Sequence, residues 1–313
     1  MGGYERRLRC EQYILAEKET GLREHRSAVT RRPMDDRSPA RPTHRVRGRD
    51  RRAVTPAPPP AGERPAADAW RPARFLVIAA HPDDAEFGPA ATAAAWIDAG
   101  SIGRLVCCTS GDQGGEDPDA DPLVLAGTRK QEQGRAAAIV GYDEVVFLHQ
   151  PDGAIANELP LRELLVREIR RFRPDAVLTH DPEVLFYAGA GVNHADHRAA
   201  GIAAVDADFP AARNPMAFPW LARTGLPAHA VRRLYLFWPN APTAWVAVAA
   251  TLDRKVAALR CHASQVADPD GLEARIRAWA AEEGEPIGVA AEAFRVIVID
   301  DDPGEGPHEG GAA

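Results

Sequence analysis

Cysteine is scarce in this chain: there are four, Cys10, Cys107, Cys108 and Cys261. Their spacing fits neither a disulfide framework nor the paired cysteines of a zinc ribbon. Cys107 and Cys108 sit inside an apolar run and read as small core residues. A reducing cytoplasm is the simplest setting for such usage. Long apolar runs are also missing. None approaches the ~20 residues of a membrane-spanning helix, and the first residues lack the apolar centre of a signal peptide. We therefore expect no membrane partner. No internal repeat is visible. The glycine pattern G-x-G-x-x-G is absent after the first apolar run, which disfavours a dinucleotide site.

Charge is present but unevenly placed. The net charge of the chain is −7, yet the first 74 residues carry 18 Lys/Arg against 10 Asp/Glu. This early segment is poor in apolar runs and includes Pro56-Ala57-Pro58-Pro59-Pro60. It cannot bury much surface, so residues 1–71 read as a disordered basic extension. A basic tail can touch an acidic surface, but a solvated extension or a misassigned start codon explains it as well. The remainder is acidic, so nucleic acid is not an expected partner, while self-association stays open.

From residue 72 to about 302 the pattern alternates between apolar runs and helical stretches. Runs at 75–80, 104–109, 144–148, 175–180, 233–238 and 294–300 read as strands. Helices are expected at 90–99, 126–140, 159–172, 252–265 and 272–281, with another following residue 194. Such alternation implies one α/β domain with a Rossmann-like, largely parallel sheet and helices on both faces. A flexible acidic tail, 303–313, follows.

The most informative segment is Ala80-His81-Pro82-Asp83-Asp84-Ala85-Glu86, directly after the first strand. In an open α/β sheet, ligands bind where strands end. His81 and Asp84 offer nitrogen and oxygen donors suited to zinc or a similar ion, which leaves Asp83 as an acid/base. The plain alternative is a polar turn in which Asp84 caps the next helix. A second cluster is Asn193-His194-Ala195-Asp196-His197-Arg198. At helical spacing His194 and His197 share a face. One can complete a metal triad and the other can face a substrate. The alternative is a solvated helix start with Asp196 favoured by the helix dipole.

Together these clusters make the chain resemble the LmbE-like, or PIG-L, N-acetylglucosaminyl deacetylases. Thr109-Ser110-Gly111-Asp112, Thr128 to Gln133, Val145 to Leu148, Pro151-Asp152-Gly153 and Lys255 to Gln265 support the resemblance, which runs from about Phe75 to about Val298. Two departures stand out. Ala85 occupies a usual glutamate position, with Glu86 one place later, and Ala195 replaces a common proline. The resemblance implies a metal-dependent hydrolase that removes an acetyl group from an amino-sugar conjugate. It assigns the divalent ion, Zn2+ or another such as Fe2+, to His81, Asp84 and His197. Asp83 becomes the general base, and protonated His194 stabilises the oxyanion. Arg129, Asp152 and Asp112 become sugar contacts. The runner-up readings are a thiol-conjugate amidase of the mycothiol type and a metal- or carbohydrate-binding homologue without catalysis.

Each supporting residue has a plainer reading. Arg129 can pair with Glu132 on a helix surface, Asp112 can serve a turn, and Asp196 is read as a helix cap in preference to a group that orients His197. Tyr187 either gates the loop or packs. Trp238 and Trp245 read as core more readily than as a cavity wall. His262 reads as a structural histidine. His149 and His180 end strands near the site without being expected ligands.

Overall fold

A computed structural model describes residues 64–188 and 191–300. The central strand, β1 (Arg74–Ala79), is buried from Phe75 onward because both its faces are covered. Pro82 cannot continue it, and a short helix α1 (Asp84–Phe87) precedes α2 (Ala90–Asp98). Next come β2 (Ile102–Thr109) and α3 (Pro122–Val140). Helix α3 starts four residues earlier than its apolar pattern suggests. The Asp121 side chain accepts from the Leu123 N–H, and Pro122 stands at the first helical position. Gly141 ends it at φ 102°.

Strand β3 (Glu144–Gln150) leads into α4 (Leu159–Phe172), whose apolar face buries Leu161, Leu165, Val166, Ile169 and Phe172. Then follow β4 (Ala176–His180), α5 (Ala195–Asp206), a wide helical turn at Ala207–Ala212, and α6 (Pro219–Arg223). The chain closes with β5 (Arg233–Phe237), β6 (Ala244–Ala247), α7 (Leu252–Leu259), α8 (Leu272–Glu283) and β7 (Ala291–Val298). Two expectations are corrected. The helix expected over 252–265 stops at Leu259, and Cys261–Val266 form turns instead. The four-residue strand β6 gave no signal of its own.

The seven strands lie in the order β3-β2-β1-β4-β5-β7-β6. The first five are mutually parallel, β7 runs antiparallel to β5, and β6 pairs antiparallel with β7 and so runs with the first five. One core lies on the face holding Phe75, Val77, Trp96, Leu105 and Val140. The other holds Leu76, Ile78, Leu165, Ile169 and Ala200. Strand order reverses between β1 and β4, so their carboxyl ends open a crevice. His81 and His180 stand at those two ends.

The segment 64–71 precedes the expected start of the domain, yet it lies on it. Asp68 donates its N–H to the Trp245 carbonyl at 2.7 Å and accepts from the Tyr235 hydroxyl at 2.7 Å. Trp70 stacks on Tyr235, with centroids 6.0 Å apart. Residues 1–63 and the 303–313 tail lie outside the described residues.

Helix α5 approaches β4 closely through small residues. Ala200, Gly201, Ala203 and Ala204 are buried, and a Cβ at Gly201 would stand 2.6 Å from the His180 carbonyl oxygen. This approach brings His194 and His197 against the ends of β1 and β4. Gly201→Ala must therefore push α5 outward. We expect a loss of about 1–3 kcal/mol, read as a fall in melting temperature, with a lower divalent-ion content. Unchanged values for both would show that the gap is wider than the geometry indicates.

Candidate functional site

The turn after β1 aims two adjacent carboxylates in different directions. Asp83 has a left-handed backbone, φ 102°, a conformation that costs a non-glycine residue roughly 1–3 kcal/mol and needs external support. Its N–H donates to Gln133 Oε1 at 2.9 Å. Arg129 braces the same turn, donating to the Pro82 carbonyl at 2.7 Å and the Gly111 carbonyl at 3.1 Å. Asp84 is 4 % exposed and points inward. It does not cap α1: Asp83 holds the N-cap position and makes no side-chain capping bond.

Three imidazoles converge on Asp84. His197 Nε2 lies 3.2 Å from its Oδ1, and His180 Nε2 3.2 Å from its Oδ2. His81 Nδ1 lies 3.5 Å from Oδ2, and the His81 N–H donates to the same oxygen at 2.7 Å. His81, His194 and His197 also bring one nitrogen each within 4.8 Å of one another, as do the ligand atoms of Asp84, His180 and His197. Burial alone would raise the Asp84 pKa, but His197 and His180 hold it well below the usual carboxylate range. Burial drives His197 down to about 4, against the pull of Asp84.

Hydrogen bonding sorts the histidines. His197 Nδ1 meets Asn193 Oδ1 at 3.1 Å, an oxygen that also accepts from the Tyr187 hydroxyl at 2.9 Å. The proton of His197 therefore sits on Nδ1, and its Nε2 lone pair faces Asp84. His81 Nε2 lies 3.1 Å from Asp152 and 3.2 Å from Asp196, so Nε2 carries a proton toward them and Nδ1 is the nitrogen left for a metal ion. Burial would lower the His81 pKa, but the Asp152, Asp196 and Asp84 carboxylates hold it well above its ordinary value. His194 is arranged the other way round. Its Nδ1 accepts the Asp196 N–H at 3.2 Å, capping α5, so Nε2 carries the proton. Burial and the neighbouring His81 and His197 keep its pKa below the ordinary value. His194 thus presents its Nε2–H, and these neighbours work against the imidazolium expected from the sequence.

Other expectations shift in the same way. Asp196 is not the cap of α5: buried, it accepts from the Gly153 and Ile155 N–H groups and faces His81. Arg129 is buried and does not pair with Glu132, which instead accepts from Ser264. The Asp83 side chain is 15 % exposed, with Arg129 Nη2 at 3.4 Å. Burial pushes its carboxyl up to about 6, with Arg129 pulling it down and Asp84 adding to the rise. Asp152 receives the Gln113 N–H at 2.8 Å. Asp112 lies outside the cavity wall, and Gln113 lines it instead. His262 is fully buried against Glu86 at 3.1 Å, as a structural histidine. His149 is exposed and pairs with Ser110.

These groups form one end of a cavity of about 1150 Å³. Trp238 and Trp245 line it, together with Tyr187, so the two tryptophans are wall more than core. Trp238 has φ 58° and places its ring 5.5 Å from His197 and 5.3 Å from His180. Two participants were missed in the sequence. His180 was expected near the site but not as a ligand, although its place at a strand end beside β1 was the signal for its contact with Asp84. Trp279, on α8, lines the cavity and gave no signal beyond a helical pattern. Among the described residues, no helix is long and apolar enough to cross a membrane.

The family model described as PIG-L, GlcNAc-PI de-N-acetylase, matches residues 76–207. A diacetylchitobiose deacetylase of Thermococcus kodakarensis is 30% identical over 193 residues, spanning 61% of this chain and 70% of the relative. A 1D-myo-inositol 2-acetamido-2-deoxy-alpha-D-glucopyranoside deacetylase of Mycobacterium sp. (strain KMS) is 29% identical over 236 residues, 62% of this chain and 74% of the relative. The solved N,N'-diacetylchitobiose deacetylase of Pyrococcus horikoshii superposes with a TM-score of 0.66 at 28% identity, covering 72% of this chain and 84% of that one.

The proton placements give a test of the donor set. Asn193→Ala removes the acceptor that orients His197 and should weaken divalent-ion affinity about 10–100-fold. His194→Ala should retain the ion. An ion lost from His194→Ala and kept by His197→Ala, measured by elemental analysis, would reverse the assignment.

Proposed function

The chain belongs to the PIG-L family, and on that premise we propose that it is a metal-dependent N-deacetylase acting on an N-acetylglucosaminyl conjugate. Support comes from the named relatives, both deacetylases of acetylated glucosamine compounds. The observation that carries the reading is the meeting of Asp84 with three imidazoles beside a partly buried Asp83 that lines the cavity. The donor chemistry fits a divalent ion. His81 Nδ1 lies 3.5 Å from one Asp84 oxygen and His197 Nε2 3.2 Å from the other, and each histidine has its other nitrogen engaged. Nitrogen and oxygen donors of this kind suit zinc, and Fe2+ as well. A bound ion would polarise the amide carbonyl and lower the pKa of a water.

The remaining work falls to the chain's own side chains. Asp83 takes the proton from the attacking water and returns it to the amine as the C–N bond breaks, releasing acetate. Its raised pKa suits that exchange better than an ordinary carboxylate. His194 Nε2–H donates to the oxygen that gains charge as the carbonyl carbon becomes tetrahedral. Asp152 and Asp196 hold His81 by its Nε2 side, and His180 holds Asp84. Arg129 carries positive charge to Asp83 while fixing the turn beneath it.

This assignment replaces direct sugar contact by Arg129 and Asp152 with support for the reacting groups. A thiol-conjugate amidase and a non-catalytic homologue gain nothing from the relatives, and both Asp83 and His194 reach the cavity.

Asp83→Asn should keep its ion and lose about 10²–10⁴ in kcat, measured as acetate release from an N-acetylglucosaminide; near-normal turnover would remove Asp83 as the base. Arg129→Ala and Asp152→Ala should lower kcat/KM by similar factors on an N-acetylglucosaminide and on a simple acetylated amine. A loss confined to the sugar would instead restore direct contact.

A further inference from the structure

The cavity does not end at the reacting groups. At about 1150 Å³ it exceeds the roughly 300–1,000 Å³ typical of a small-molecule site. Beyond Trp238 an arm continues between β6, β7 and α8, where Trp245, Trp279 and Pro242 form the wall. All three tryptophans are half-buried, so each presents ring surface to the cavity.

The polar groups at the base of this arm have their partners already. Lys255 Nζ donates to the Phe87 carbonyl at 2.9 Å, to the Gly88 carbonyl at 2.7 Å and to Glu292 at 2.6 Å. Glu292 also accepts the Ala91 and Thr92 N–H groups. A ligand rich in hydroxyls would therefore lose water there without finding replacement partners, which is costly. The rim is acidic. Asp268, Glu282 and Glu285 line it against Arg275, which lies 3.7 Å from Asp268 and over the Trp279 ring at 5.9 Å. A second anion would meet repulsion at this rim, and a cation would meet attraction.

We propose that this arm binds the aglycone of the N-acetylglucosaminyl conjugate and selects one that is aromatic and uncharged or cationic. The inference rests on the deacetylase reading and adds to it the class of the group beyond the sugar. Tryptophan walls stack aromatic surface in offset or edge-to-face contact.

The test uses the protein as purified with three glycosides of N-acetylglucosamine: methyl, p-nitrophenyl and p-carboxyphenyl. The expected order of kcat/KM for acetate release places p-nitrophenyl about tenfold above methyl, with p-carboxyphenyl below p-nitrophenyl. Trp279→Ala should reduce kcat/KM for the p-nitrophenyl compound about tenfold more than for the methyl compound, at a melting temperature near that of the parent. Glu282→Gln with Glu285→Gln, on the exposed rim, should raise the p-carboxyphenyl compound toward p-nitrophenyl. Equal turnover of aryl and methyl glycosides, or preference for an N-acetylglucosamine disaccharide over both, overturns the proposal. Calorimetry with p-nitrophenyl glucosaminide, which has no acetyl group, separates the two readings. Binding that weakens in Trp279→Ala, without acetate release from any glycoside, upholds the aromatic arm and overturns the deacetylase reading. Acetate release without such binding overturns the arm alone.

Discussion

One buried carboxylate sets the terms for everything around it. Asp84 is almost removed from water, where an unpaired charge costs several kcal/mol. The fold answers with imidazoles from three different chain positions: the end of β1, the end of β4 and the first turn of α5. Each imidazole must arrive with its other nitrogen satisfied or tolerably buried, so a further ring of groups is recruited. Asn193 serves His197, and Asp152 and Asp196 serve His81. The tight α5–β4 contact at Gly201 and the left-handed turn at Asp83 are consequences of bringing these side chains to one point. Reactivity here is therefore a property of packing as much as of composition.

The parts of this site that were legible in the sequence were local. His81-Pro82-Asp83-Asp84 follows an uninterrupted apolar run, and that juxtaposition alone places two carboxylates at a strand end. The parallel alternation was legible for the same reason, because strands covered on both faces are written as continuous apolar runs. What the sequence concealed depends on contacts between distant residues. Asp196 sits one position into a helix and looks like a cap, yet the loop carrying Gly153 and Ile155 folds across and takes both its oxygens. Arg129 stands three residues before Glu132 on α3, yet the turn after β1 claims one and Ser264 the other. His180 carried no motif, and only the neighbouring position of β4 beside β1 made it a partner of Asp84.

The buried acids are also sorted by their neighbours. Glu86 lies one place beyond the position where a glutamate was expected from the family pattern. It uses that place to reach Gln133 at 2.8 Å and His262 at 3.1 Å, both fully buried. Gln133 in turn holds the Asp83 N–H. The displaced glutamate thus reaches the reacting turn through a side-chain amide, a linkage between α1, α3 and the segment after α7 that no single motif describes.

Strand β7 alone runs against the other six strands of the sheet. The Asp84 cluster stands on the parallel portion, whereas the wall with Trp245 and Trp279 is built on the edge formed by β6 and β7 and on α8. The proposed chemistry and the proposed choice of aglycone thereby fall on separable stretches of chain. An exchange of that edge would remake the wall while leaving the residues around Asp84 in place.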